Sequence, residues 1–352
     1  MEMNNKSNRK LLVALAVMAV AFVALAAIPA VDAEDAGVAG GGQTEAIDTY
    51  DELSDALAKG GKVVLGGDID MSGKAAITVD TNVELDLAGH SITKVQAEIK
   101  SAQDFTSENR MKVFIVNPGV TMTINDTVGE GKIVGKSYDG KMPVYGSASG
   151  DQVLSVGDGD KLATLKLGKI TIVSDFYGVG VWANGAVEAT GTTIKTVYAS
   201  TLGLNGSDTI GSKNAKVTID GGTYSSKYSP AFFWSNTEEL KISNAKIEGS
   251  AALDIRAGSA QLTDVQINMT EQSSGTVGSS GPAGFNVGIG IYANAGESYG
   301  NPSVTLQKVS FKSAAGIDVD AQIYYGVLKL TSEEQSFEEI VNADLSNETL
   351  NH

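Results

Sequence analysis

Val217-Thr218-Ile219-Asp220-Gly221-Gly222-Thr223-Tyr224 holds the pattern that decides the fold. Val217 and Ile219 alternate with polar residues, Asp220-Gly221 interrupts, and Gly222 and Tyr224 resume the alternation one position out of step. Leu240, Ile242, Ala245 and Ile247 repeat the spacing, as do Ala260, Leu262, Val265 and Ile267, and Val304, Leu306, Val309 and Phe311. Looser copies run through Val83/Leu85/Leu87, Val120/Met122/Ile124, Leu165/Leu167/Ile170/Ile172 and residues 187–194. A period of two marks strands. One extra residue between two such pairs means two strands meeting at a tight corner. The corner pairs Asp220-Gly221, Ser243-Asn244 and Thr263-Asp264 are turn formers.

Working outward, a third alternating pair belongs to most copies: Val179/Val181, Leu202/Leu204, Phe232/Trp234, Leu253/Ile255, Ile289/Ile291 and Ile317/Val319. Successive copies lie roughly 20 to 36 residues apart, a solenoid period. A single coil cannot bury its own apolar face, so stacked coils supply the core and pair each strand with the next. The expectation is an all-β fold, a right-handed parallel β-helix over residues 45–330. Its ends need covering. Thr49-Tyr50-Asp51-Glu52 is a capping box, Leu53, Ala56 and Leu57 form a stripe, and Gly60-Gly61 stops the chain: a capping helix over 50–59. The acidic residues 331–352 are expected to cover the other end or trail from it. Long insertions at 95–112, 136–152 and 271–286 become side loops, and loops of that length carry function or disorder.

Composition restricts the partners. The 352 residues carry a formal charge of −16 and no Cys. No disulfide framework is available, so packing and backbone pairing must hold the fold. Lys6, Arg9 and Lys10 precede the uncharged apolar run 11–30, and Val31-Asp32-Ala33 follows with small residues. Residues 1–33 therefore read as a signal peptide or N-terminal anchor, and 34–44 as a Gly-rich linker. Without residues 1–33 the balance is 23 basic to 40 acidic residues, −17. Such a surface excludes nucleic acid as a partner and suits an extracellular or cell-surface location. A membrane is contacted only through residues 11–30, if they are retained.

The stretch 49–92, a short helix followed by the strands around Asp68-Ile69 and Asp86-Leu87-Ala88-Gly89-His90-Ser91-Ile92, resembles the N-terminal cap and first coils of pectate-lyase-like β-helix proteins. Leu240 to Ile255 resembles their middle coils. The resemblance implies the fold over about 45–330. For function it implies either adhesin-like surface proteins or polysaccharide lyases and glycosidases.

The motifs of the enzymatic branches are missing. None of the four polygalacturonase motifs occurs, and the three arginines (Arg9, Arg110, Arg256) show no lyase-like pairing with an acidic calcium cluster. His90 sits in a corner and the other histidine is His352, so no histidine acid–base pair is expected. Asp158-Gly159-Asp160 and Asp68-Ile69-Asp70 lack the spacing of a calcium loop; neither a metal nor a cofactor is expected.

One constellation remains. If the third strands point their apolar residues inward, Trp182, Phe233, Asp254, Arg256, Tyr292, Asp318 and Asp320 share an outward row. Trp182, Phe233 and Tyr292 offer stacking faces to sugar rings, and Asp254 and Arg256 offer hydrogen bonds to hydroxyls. The expected function is thus non-enzymatic adhesion, or binding of an extracellular polysaccharide or cell-surface glycan. The alternatives are a polysaccharide-active enzyme using Asp254, Asp318 or Asp320, and a structural envelope protein. Asn125, Asn205, Asn268 and Asn347 begin glycosylation sequons.

Overall fold

A computed structural model describes residues 46–146, 151–203, 214–269, 287–291, 303–313, 319–323, 327–330 and 349–351. The segments 1–33, 34–44 and 331–348, together with Tyr292, Asp318, Asn205 and Asn347, lie outside the described residues. The chain divides into two units after Thr44, and every described residue belongs to the unit from Glu45 onward.

The helix Tyr50–Lys59 comes first. Thr49 Oγ1 accepts the Glu52 amide at 3.3 Å, and Glu52 returns a carboxylate oxygen to the Thr49 amide at 3.2 Å. Leu53 and Leu57 are fully buried, and Gly60 ends the helix at φ 76°. Strands dominate the rest of the described chain, and their pairings are parallel. The fold is an all-β parallel β-helix.

Each coil contributes to three faces. On the first, Gly61–Val64, Val83–Asp86, Thr121–Asn125, Ala163–Leu167, Gly185–Thr190 and Lys216–Asp220 stack in that order. Ile219 then pairs with Ile242, Ile242 with Leu262, and Leu262 with Leu306. These are the repeated positions of the sequence pattern, stacked like upon like. The second face runs from Ile69–Asp70 through Ser91–Val95, Lys132–Lys136, Thr171–Ser174 and Thr193–Thr196 to Thr223 and Lys246. The third runs from Ile77–Val79 through Phe114–Val116, Gln152–Val156, Tyr177–Val181 and Leu202–Gly203 to Phe232, Leu253 and Ile289. Val179, Val181, Phe232, Trp234, Leu253, Ile255 and Ile289 are buried at 0–1% exposure. The Tyr224 and Phe232 rings meet inside, 5.2 Å apart.

The corner between the first and second faces is tight. In the later coils it turns on left-handed residues: Gly191, Gly221, Asn244, Asp264 and Lys308, at φ 66°, 74°, 53°, 53° and 52°, with Gly222 following Gly221 at 94°. The next residue drops into the core, as Thr192, Ala245, Val265 and Val309 do. The corner backbone continues the ladder, Gly221 N–H donating to Ser243, Asn244 to Thr263 and Asp264 to Gln307. Turn-forming residues at these positions are required by φ alone.

Candidate functional site

The outward positions of the third face form one column. Ser155, Gly180, Gly203, Phe233, Asp254, Gly290 and Gln322 are register partners in sequence. Glycine at 180, 203 and 290 leaves bare backbone between the side chains. The neighbours lean into that space. A Cβ on Gly180 would meet the Gln152 side chain at 2.8 Å, and one on Gly203 would meet Phe233 Cβ at 3.0 Å.

The structure places the expected row residues unequally. Phe233 and Asp254 lie in the column and are 6% and 3% exposed. Trp182 follows the strand Tyr177–Val181 rather than lying in it. It is half-buried against the core, and its indole Nε1 donates to Ser155 Oγ at 2.9 Å. Gln152 Nε2 reaches the same oxygen at 3.4 Å. Arg256 and Asp320 are strand residues whose side chains are not described. Chemically this is a fixed indole beside an amide and a hydroxyl.

Of the sequons, Asn125 and Asn268 are half-buried strand residues. Asn125 helps line an open cleft of about 370 Å³ on the first face with Thr123, Lys166, Lys169, Glu188 and Thr190. Lys166 pairs with Glu188 there at 2.9 Å. Among the described residues no group of three or more potential ligands gathers where it could hold a metal ion, and no helix is long and apolar enough to cross a membrane.

Sequence reasoning missed a second polar cluster, at the base of the loops between the second and third faces. Lys94 occupies a core-facing position of Ser91–Val95 and is fully buried. Its Nζ donates to the carbonyls of Ser107 and Lys112, 3.0 Å each. Burial holds its pKa down at about 8; burial, reinforced by Arg110, does the same for Lys112. Asp151 is fully buried and accepts Arg110 Nε and Nη2 at 3.0 and 2.8 Å and the Met111 amide at 2.9 Å. The loop 96–112 is therefore pinned from both sides. The sequence signals were the insertion itself and the alternation that puts Lys94 in step with Ile92; a lysine at such a position reads as a surface residue.

By fold, this is a parallel β-helix. No family model, curated protein or solved structure matches the chain.

Proposed function

We propose that this is a secreted or cell-surface β-helix protein of the pectate-lyase-like superfamily that binds glycan without cleaving it. The observation that carries the reading is Trp182. Its indole is half-buried and held in place by the bond to Ser155, so the part of the ring it leaves open is already oriented before any ligand arrives. Preorganised aromatic area of this kind supplies most of the affinity at such sites, because little side-chain entropy is lost. Polar groups, the Gln152 amide and the Ser155 hydroxyl, stand beside it. The adhesive reading also agrees with the Cys-free, acidic composition and the apolar N-terminal run. Asp254 is 3% exposed, which favours a structural role for that carboxylate over attack on a glycosidic bond.

The test is a glycan-array screen of the chain from Glu34 onward, followed by Trp182→Ala. Binding should weaken by at least tenfold, about 1.4 kcal/mol, with circular dichroism unchanged. Array hits incubated with the protein should release no new reducing ends. An empty array would refute the binding reading, and reducing-end release would refute the non-catalytic one.

A further inference from the structure

Aromatic side chains are unevenly placed around the coils. The corner between the second and third faces carries Phe105, Tyr138, Tyr145, Phe176, Tyr198 and Tyr228 over five successive coils, Tyr138 and Tyr145 sharing one loop. The tight corner between the first and second faces carries none from residue 87 to residue 265. The rings touch one another along the coil axis: Phe105–Tyr145 at 5.9 Å, Phe176–Tyr198 at 5.9 Å and Tyr198–Tyr228 at 5.7 Å between centroids. Only Phe176 is fully buried; Phe105, Tyr145, Tyr198 and Tyr228 are half-exposed, and Tyr138 is 44% exposed.

This belt is held rigidly. Arg110, fixed by Asp151, lies over Phe105 at 4.3 Å. Tyr198 Oη donates to the Gly140 carbonyl at 3.0 Å, tying the third coil's loop to the ladder. Asp175 accepts the Ser137 amide and hydroxyl at 2.7 and 2.9 Å. Core rings would be buried and solvent-facing loops would be free of rings; half-exposed rings on anchored loops are what a binding edge needs.

We propose that this corner binds a neutral polysaccharide in an extended, ribbon-like conformation, lying along the coil axis. The inference rests on the glycan-binding reading and goes beyond it by naming the ligand class and a second place, at the opposite end of the third-face strands from Trp182. Periodicity argues for a polymer. Coils repeat every ~4.8 Å, close to the advance of one sugar residue in an extended chain, so the partly exposed rings spread from Phe105 to Tyr228 would meet several sugars of one chain rather than a single one. Charge argues for a neutral one. Two of the local cations are paired, Arg110 with Asp151 and Lys100 with Glu98 at 2.8 Å, and Lys227 lies over the Tyr228 ring at 4.8 Å, while the protein as a whole is −16. An acidic polymer would meet that overall repulsion.

The experiment is affinity electrophoresis of the chain from Glu34 onward, in native gels containing hydroxyethylcellulose, galactomannan or polygalacturonate. The neutral polymers should retard it and polygalacturonate should not. Tyr145→Ala and Tyr138→Ala, both on loops, should each weaken retardation at least threefold, and the pair tenfold or more. Tyr198→Phe, which keeps the ring but loses the bond to the Gly140 carbonyl, should weaken retardation less than Tyr145→Ala does. Soluble neutral oligomers should compete better as they lengthen from two to six residues. Retardation by polygalacturonate alone, undiminished retardation of the double variant, or competition independent of length would each overturn the proposal. Glycan-array binding lost in Trp182→Ala but kept in the double variant would overturn it and leave the function standing. An empty array would remove both.

Discussion

At the tight corner, Gly221, Asn244, Asp264 and Lys308 turn the chain within one residue, at φ 52–74°. At the aromatic corner of the early coils the chain takes the long way round, through residues 96–113 and 137–151, and buries charge to do so. The first corner is a backbone device: any residue that tolerates the left-handed region serves, and Gly, Asn, Asp and Lys all appear. The second is a side-chain device, with Lys94 filling carbonyls from below and Asp151 collecting Arg110 and Met111. A backbone device repeats and is forgiving. A side-chain device is singular, and it is the kind that can position rings for a ligand.

The comparison breaks most visibly at Asp151. Asp151→Ala strands the Arg110 guanidinium and the Met111 amide beneath the loop. Removing one partner of a buried pair costs about 3–5 kcal/mol, so the urea midpoint should fall accordingly. Amide exchange should rise first in residues 97–112 and not at the tight corner. A loss under about 1 kcal/mol, the scale of an exposed pair, would mean the loop is held by its rings instead.

Lys94 comes next. Lys94→Met keeps the length of the side chain but leaves the Ser107 and Lys112 carbonyls without their donor, an expected loss of about 1–3 kcal/mol. The pH profile identifies the amine. Its folded pKa, about 8 through burial, lies below the unfolded value of about 10.4. The unfolded chain therefore binds the proton more tightly between those values, and stability should rise with pH across that window. Below pH of about 8 the amine is charged in both states and its penalty is fully present. Lys94→Met should flatten the rise, leaving the part due to Lys112, whose pKa burial also holds at about 8; an unchanged slope would assign it to Lys112 alone.

This contrast also explains what the sequence disclosed. The tight corner and the faces beside it were legible because one coil repeats the next: Val217, Leu240, Ala260 and Val304 stand in one stack, and the spacing alone aligns them. The capping helix was legible from local chemistry at Thr49 and Glu52. The aromatic corner was not, because Phe105 and Tyr145 meet across two unlike loops that no period relates. Lys94 was hidden for a similar reason: alternation marks its position as inward, but a lysine there reads as a surface residue until the loop above supplies two carbonyls. For the outward row, alternation gave the side on which Phe233 and Asp254 lie. It carried no information on how far neighbouring side chains would cover them.

The smallest effect tests the backbone side of the comparison. Lys308 stands at φ 52°, where a side chain with a Cβ costs roughly 1–2 kcal/mol. Lys308→Gly removes that cost and adds about 0.5–1 kcal/mol of chain entropy to the unfolded state. The balance favours the variant by roughly 0.5 kcal/mol, within reach of replicate urea melts. Asn244 has almost the same φ, 53°, but tolerates it better and donates Nδ2 to Asp220 at 2.6 Å. Asn244→Gly loses that bond and gains little, so it should come out neutral or slightly destabilised. If backbone geometry sets this corner, the two glycine variants must differ in sign or nearly so. Equal losses at both positions would mean that side chains hold the tight corner as well, and the distinction between the two corners would fall.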